Sequence, residues 1–288
     1  MPMRVLGARC AEDEKMTLVA AIQMTSGPDV AENIKVARRL LTEAQARGAT
    51  LALLPENFNF IGQRDVDKKA IAERYGHGVT QDAMAAMAQK LGLWIIAGTQ
   101  PLKSDNASNE ARVTNSTLVY DNAGACVARY DKIHLFDVNV PNKPGESYHE
   151  SAQVAPGHDV VVVDTPAGRV GLSVCYDMRF PELYRRLTAL GADILVMPAA
   201  FTVPTGRAHW EILLRARAIE NLSYVLAAAQ SGVHPNDRET FGDTLIVDYW
   251  GRVLGRLPRG TGVVIADIDL QAMVATRAGF PALQHRVL

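Results

Sequence analysis

The stretch Gly168-Arg169-Val170-Gly171-Leu172-Ser173-Val174-Cys175-Tyr176-Asp177-Met178-Arg179-Phe180-Pro181-Glu182-Leu183 places a cysteine where an apolar run gives way to a helical pattern. Residues 170–174 carry interior glycine and serine among aliphatic side chains, as in a strand buried on both faces. A helix is predicted to follow. Pro181 suits a first helical position, and Leu183, Leu187 and Leu190 recur at helical spacing until Gly191. Cys175 is then expected just ahead of a helix N-terminus, where unpaired N–H groups favour negative charge and lower a thiol's pKa. A lone cysteine after an apolar strand also suits a small core residue. Asp177 and Arg179 directly behind it are company that a purely structural strand end does not require.

Working outward, strands and helices alternate. Residues 17–24 read as a first strand, and a helix is predicted over 30–47 with the apolar stripe Ile34, Ala37, Leu41 and Ala44. Gly48 ends that helix, and a buried strand over 50–54 runs into Pro55-Glu56-Asn57. A helix over 81–91, with Thr80 as its N-cap, leads through Gly92 into a strand over 93–98. Strands over 113–120 and 126–133 flank the hairpin turn Asp121-Asn122-Ala123-Gly124, and residues 136–158 read as a long Pro- and Gly-rich loop. Further strands are predicted over 160–164, 193–197, 224–229, 244–248, 252–256 and 263–268, with a helix over 208–221. This alternation predicts an α/β layered fold with helices outside.

The chain also echoes itself. Arg47-Gly48-Ala49-Thr50-Leu51-Ala52-Leu53-Leu54-Pro55 resembles Leu190-Gly191-Ala192-Asp193-Ile194-Leu195-Val196-Met197-Pro198, each a helix ending at glycine before an apolar strand that runs to proline. Such junctions are common, but a real repeat means that the two halves build one pseudo-symmetric core. No linker-like segment divides the chain, so a single domain is expected.

Composition narrows the chemistry. With 288 residues, 48% of them hydrophobic, the chain is long enough to bury a full core. Thirty basic residues against 31 acidic ones leave a net charge of −1 and no electrostatic footprint for nucleic acid or an anionic membrane, so small-molecule chemistry is favoured. The three cysteines, Cys10, Cys126 and Cys175, are widely spaced and fit neither a disulfide framework nor a zinc pattern, which points to a reducing compartment. Residues 1–15 lack the apolar core of a signal peptide, and no run is long enough to span a bilayer. A soluble, cytoplasmic protein is expected, with residues 1–15 a flexible extension ahead of a domain over 16–288. The seven histidines show no metal-ligand spacing, and no Gly-x-Gly-x-x-Gly or Walker loop is present.

An acyl-transfer cysteine needs a base, oxyanion donors and a way to bring in water. Glu56 stands at a strand's end, where burial raises a carboxyl's pKa toward use as a base; read singly, it also fits a solvated loop glutamate. Lys132 lies in Arg129-Tyr130-Asp131-Lys132-Ile133-His134-Leu135-Phe136, suited either to a developing oxyanion or to a surface strand. Glu150, in the long loop, is a candidate for orienting the lysine or the water.

Taken together, these stretches resemble the nitrilase, or carbon-nitrogen hydrolase, superfamily from about Thr17 to the C-terminus. The motifs occur in that family's order: Leu54-Pro55-Glu56-Asn57, then Tyr130-Asp131-Lys132-Ile133-His134-Leu135-Phe136-Asp137, then Glu150-Ser151 before Pro156-Gly157, then the segment from Cys175 to Glu182. The resemblance implies a four-layer α-β-β-α sandwich, a Glu-Lys-Cys triad at Glu56, Lys132 and Cys175, a supporting glutamate at Glu150 and at least a homodimer. No cofactor is expected, because nucleophile, base and oxyanion donors suffice to split an amide, and the histidine spacing predicts no metal. Ala208-His209-Trp210-Glu211, the segment from Leu214 to Glu220, and Ala228-Ala229-Gln230-Ser231-Gly232 are most similar to the Nit-type amidases. Within these the branch that hydrolyses deaminated glutathione stands nearest, with the omega-amidase branch, acting on α-ketoglutaramate, beside it. Arg207, Asp243 and Tyr249 depart from the branch's pattern in ways that bear on the substrate rather than the reaction.

The implied reaction is hydrolysis of a small carboxylate-bearing amide to acid and ammonia through a cysteine thioester. Tyr176, Arg179, Arg207 and His209 are the candidate substrate-binding residues. Nitrilase and N-carbamoyl amidohydrolase chemistry share the triad and stay open. So do a cysteine-histidine hydrolase with His134 as base and a non-catalytic redox-sensing thiol or binding scaffold.

Overall fold

Along strand β1 (Thr17–Gln23), Val19 and Ala21 face one side, Ala20 and Ile22 the other, and all four are fully buried. A strand dry on both faces needs cover on both, and the rest of the chain supplies it. The computed structural model describes residues 17–104, 112–140, 147–235 and 237–287. The expected extension over residues 1–15, with Cys10, lies outside the described residues.

After β1 come α1 (Val30–Ala46), β2 (Leu51–Leu53), α2 (Val79–Leu91), β3 (Trp94–Lys103), β4 (Val113–Tyr120) and β5 (Cys126–Asp131). A small hairpin, β6 (Asp137–Asn139) and β7 (Ser147–His149), leads to β8 (Val162–Thr165), β9 (Gly168–Leu172), α3 (Pro181–Ala189) and β10 (Ile194–Ala199). Then follow α4 (Val203–Asn221), β11 (Tyr224–Ala229), and the hairpin β12 (Ser231–Val233) and β13 (Glu239–Phe241). Strands β14 (Thr244–Val247), β15 (Val253–Leu257) and β16 (Gly262–Ile268) precede α5 (Leu270–Gly279).

Two six-stranded sheets result, ordered β16-β1-β2-β3-β4-β5 and β8-β9-β10-β11-β14-β15. Val19, Ala21, Leu51 and Leu53 of the first pack in one core with Leu172, Val196, Leu226 and Ile246 of the second. On the outer face of the first sheet, Ile22 and Ala52 meet Ile34, Leu40 and Leu41 of α1 and Met84 of α2. Gly171, on the outer face of the second, lies against Leu187 of α3. The layers therefore run helix, sheet, sheet, helix, the α/β sandwich that the motifs imply.

The echo in the sequence corresponds to a structural repeat. In both sheets, three central strands are parallel, one antiparallel neighbour lies on one side and two lie on the other. Strand β2 matches β10, and the helices α1 and α3 before them each give way to a glycine at φ +89°, Gly48 and Gly191. That left-handed conformation is one glycine adopts without Cβ strain.

Several elements depart from expectation. Helix α2 begins at Val79, not at residue 81, and Thr80 is inside it: the carboxylate of Glu73 accepts the Thr80 N–H at 2.7 Å and takes over the capping. Helix α4 starts at Val203, since Pro204 fits a first turn and Gly206 admits Phe241 at close range. Helix α5 was not expected, because it buries only Met273 and shows no apolar stripe; Asp269 caps it by accepting the Ala272 N–H at 2.8 Å. The loop over 136–158 contains the β6–β7 hairpin.

Gly98 marks where the halves of the first sheet meet the chain leaving β2. It sits at a register shift in β3, and a Cβ there would run into the carbonyl oxygens of Pro55 and Leu54, just ahead of Glu56. Gly98→Ala is expected to cost about 1–3 kcal/mol in urea unfolding. Gly27→Ala, where nothing crowds the added methyl, should change stability by less than about 0.5 kcal/mol.

Candidate active site

Strand β2 hands the chain to Leu54-Pro55, and the next residue, Glu56, is 3% exposed. Gln230, at the end of β11, holds that corner: its Nε2 donates to the Glu56 carbonyl at 3.0 Å and to Ser26 Oγ at 2.7 Å. Asn57 follows in a left-handed conformation, φ +56°, and its N–H donates to Thr99 Oγ1 at 2.8 Å. The carboxylate of Glu56 is thus presented inward by fixed backbone.

Lys132 follows β5 directly, and its N–H still donates to Asn115 of β4, which carries the pairing one residue past the strand. Its ammonium is 2% exposed and donates to Glu56 Oε1 at 3.1 Å and to Glu150 Oε2 at 2.8 Å. Asn115 Nδ2 donates to Glu56 Oε1 at 3.0 Å and to Glu150 Oε1 at 3.4 Å. The Ala200 N–H donates to Glu56 Oε2 at 2.9 Å, and the Phe136 N–H to Glu150 Oε2 at 2.8 Å. Every carboxylate oxygen in this group has a donor, as burial of charge requires.

Cys175 opens a short 3-10 turn, Cys175–Arg179, rather than preceding α3 directly. Its φ of +48° is a strained conformation for a non-glycine residue, of the kind held only where the surroundings over-determine it. Asp177 does that. Wholly buried, it accepts the Val174 N–H at 2.8 Å, the Tyr130 hydroxyl at 2.6 Å and the His134 N–H at 3.0 Å, and sits 2.7 Å from His134 Nδ1. His134 is further stacked on Phe180 at 3.7 Å and does not line the cavity, so it is not placed to serve as base to Cys175.

Glu56, Lys132, Glu150 and Cys175 all line one cavity of about 630 Å³, open mouth included. Of the four candidate substrate-binding residues, Tyr176 is on its wall. Arg179, Arg207 and His209 are not: Arg207 and His209 are exposed on α4, and Arg179 lies against the His209 ring at 3.4 Å. The cations that do reach the wall are Lys68 and Arg238, neither of which the sequence analysis singled out. Lys68 lies in a short 3-10 turn and Arg238 in a loop, and no periodic pattern or local signal marks either. Among the described residues, no group of three or more His, Cys, Asp or Glu is arranged to hold a metal ion.

Electrostatics distinguish the members. Burial is the largest influence on Lys132 and works against its charge, but Glu150 and Glu56 together outweigh it and hold the ammonium well above the ordinary lysine range. Burial likewise opposes the charge on Glu150, yet Lys132 and then Lys68 keep its carboxyl below the usual value. Cys175 goes the opposite way from expectation. Burial, then the charge of Glu56, pushes its thiol well up, while Lys132 and the Ala200 N–H pull only partly back. A five-residue 3-10 turn offers too little aligned dipole to offset loss of water.

The Carbon-nitrogen hydrolase family model matches residues 18–278. The chain is 44% identical over 275 residues to the deaminated glutathione amidase of Synechocystis sp., covering 95% of this chain and 99% of that protein. Among solved structures, the C. elegans NitFhit protein superposes with a TM-score of 0.84 at 37% identity over 94% of this chain; the chain spans 65% of that longer protein. Saccharomyces cerevisiae Nit3, a member of branch 10 of the nitrilase superfamily, also gives 0.84, at 25% identity, over 95% of this chain and 97% of its own.

The raised thiol has a direct check. Thiolate absorbance, taken as the difference between the native protein and Cys175→Ala, should show no ionisation step below pH 9.0, the ordinary thiol value. A step near neutrality would mean that the dipole and Lys132 prevail over burial.

Proposed function

Because the chain belongs to the carbon-nitrogen hydrolase family and acts on amides, we propose that it is a thiol-dependent amidase that opens a small carboxylate-bearing amide through a Cys175 thioester. The supporting observation is the buried hydrogen-bonded group of Glu56, Lys132 and Glu150 sharing a cavity with Cys175.

A thiol held protonated cannot wait as a thiolate, so Glu56 takes its proton as the sulfur attacks the amide carbon. The ammonium of Lys132 and the N–H of Tyr176, which follows the left-handed Cys175, hold the oxyanion. Glu56 gives the proton to the nitrogen, the C–N bond breaks, and the amine leaves a thioester on Sγ. Water then yields a proton to Glu56 and attacks; the C–S bond breaks, the acid departs and the sulfur regains its proton. Glu150, with Asn115, fixes the lysine between the two carboxylates throughout.

The names of the relatives, 38–44% identical, support deaminated glutathione as the substrate. Its amide nitrogens carry peptide rather than hydrogen alone, so the leaving group is an amine and not the ammonia that a primary amide such as α-ketoglutaramate releases. Products are therefore best followed by mass. Glu56→Gln and Lys132→Ala, confirmed folded by circular dichroism, are expected to lower turnover by about 10²–10⁴ and 10²–10³, and Cys175→Ala to abolish acyl transfer. Intact-mass trapping should find an acyl adduct on Cys175. Near-native turnover in any folded variant rejects the role assigned to that residue, and cleavage of α-ketoglutaramate alone moves the substrate to the omega-amidase reading.

We also place the enzyme in a reducing, cytoplasmic compartment, which suits its free Cys126 and Cys175. No described helix is long and apolar enough to cross a membrane. Association into a homodimer or larger homo-oligomer is supported by exposed Ile219, Trp250 and Phe280, the last two in edge contact at 5.8 Å. Light scattering should give at least twice the 31.3 kDa chain mass.

A further inference from the structure

Two cations on the cavity wall have no part in the chemistry above. Lys68 comes from the 3-10 turn Asp65–Lys69, and Arg238 from the loop between β12 and β13. Resting on the amidase reading, we propose that Lys68 and Arg238 form the subsite that takes the substrate's carboxylate, and that the catalytic group itself sets the direction of entry.

The charges on the wall separate into two sets. Lys132 is held between Glu56 and Glu150, so the catalytic set is negative overall and repels a carboxylate from the sulfur. Among the described residues, the positive charge on the wall outside that set comes from Lys68 and Arg238. Lys68 is half-buried, makes no hydrogen bond or ion pair of its own among the described residues, and lies near enough to Glu150 to help hold that carboxyl down. Its ammonium thus acts on Glu150 through space.

Arg238 is fixed in place. Its guanidinium stacks 5.0 Å over the Tyr148 ring, and its Nη2 donates at 2.9 Å to the carbonyl of Ala200, the residue whose N–H holds Glu56. A guanidinium is a planar fork, the geometry that suits a carboxylate, and Arg238 brings it to the cavity wall. Asp65 also reaches the wall, but one exposed carboxylate does not offset both cations. The amide end of a substrate therefore turns to Cys175 and its acid end to Lys68 and Arg238.

The test uses equilibrium binding, apart from turnover. On Cys175→Ala protein, calorimetry compares glutaric acid monoamide with pentanamide, its uncharged counterpart. The charged amide should bind more tightly, and Lys68→Met or Arg238→Gln should weaken it about ten- to a hundredfold while changing pentanamide less than about threefold. Arg238→Gln removes a bond to Ala200, so a misfolded product is possible there; Lys68→Met touches no hydrogen bond and decides the matter alone. Equal affinity for the two amides, equal loss of both in Lys68→Met, or no measurable binding of the charged amide overturns the subsite. Wild-type protein that binds the charged amide through Lys68 yet cleaves no amide would instead reject the amidase reading.

Discussion

An ammonium group taken almost wholly out of water is the constraint on which the rest of this structure turns. Lys132 is 2% exposed, and a charge so placed is tolerable only where opposite charge and hydrogen bonds replace the lost hydration. Two carboxylates do so, and one carboxamide donates to both of them; the three come from distant parts of the chain: Glu56 after β2, Asn115 within β4, Glu150 beyond the β6–β7 hairpin. Each carboxylate is itself held by a backbone N–H, that of Ala200 on Glu56 and that of Phe136 on Glu150. Removing one charged partner leaves another buried charge less compensated, which for a buried pair costs about 3–5 kcal/mol. Stability and chemistry therefore draw on the same few contacts.

The same burial governs the nucleophile. A thiolate poised in advance would need a strong local field, and a short 3-10 turn does not provide one. In the proposed reaction, sulfur and proton stay together until Glu56 accepts the proton during attack. Electrostatics at Cys175 thus disfavour a standing thiolate, and His134 is committed elsewhere, to Asp177 and Phe180.

Much of this was readable from residues alone. Buried strands show as unbroken apolar runs, helix stops as glycines, and the echo of residues 47–55 in 190–198 corresponds to matching strands in two sheets of like topology. The four residues at the cavity's heart stand in motifs, and motifs survive without coordinates. What escaped was set by tertiary contact. The cap of α2 belongs to Glu73, several residues upstream; the thiol's direction of shift depends on burial that no local pattern records; and Lys68 and Arg238 reach the wall only because their loops fold over it. Arg179 and His209, which looked like pocket cations, pair with each other instead.

The repeat has one more implication. Glu56 and Lys132 hang from one layer of strands and Cys175 from the other, with Gln230 clasping Ser26 and the Glu56 carbonyl across the seam. Neither half of the molecule owns a complete catalyst. The proposed reaction would then be a property of their joint, so a duplication would have made it by letting two similar halves diverge into unlike partners rather than by copying a finished site.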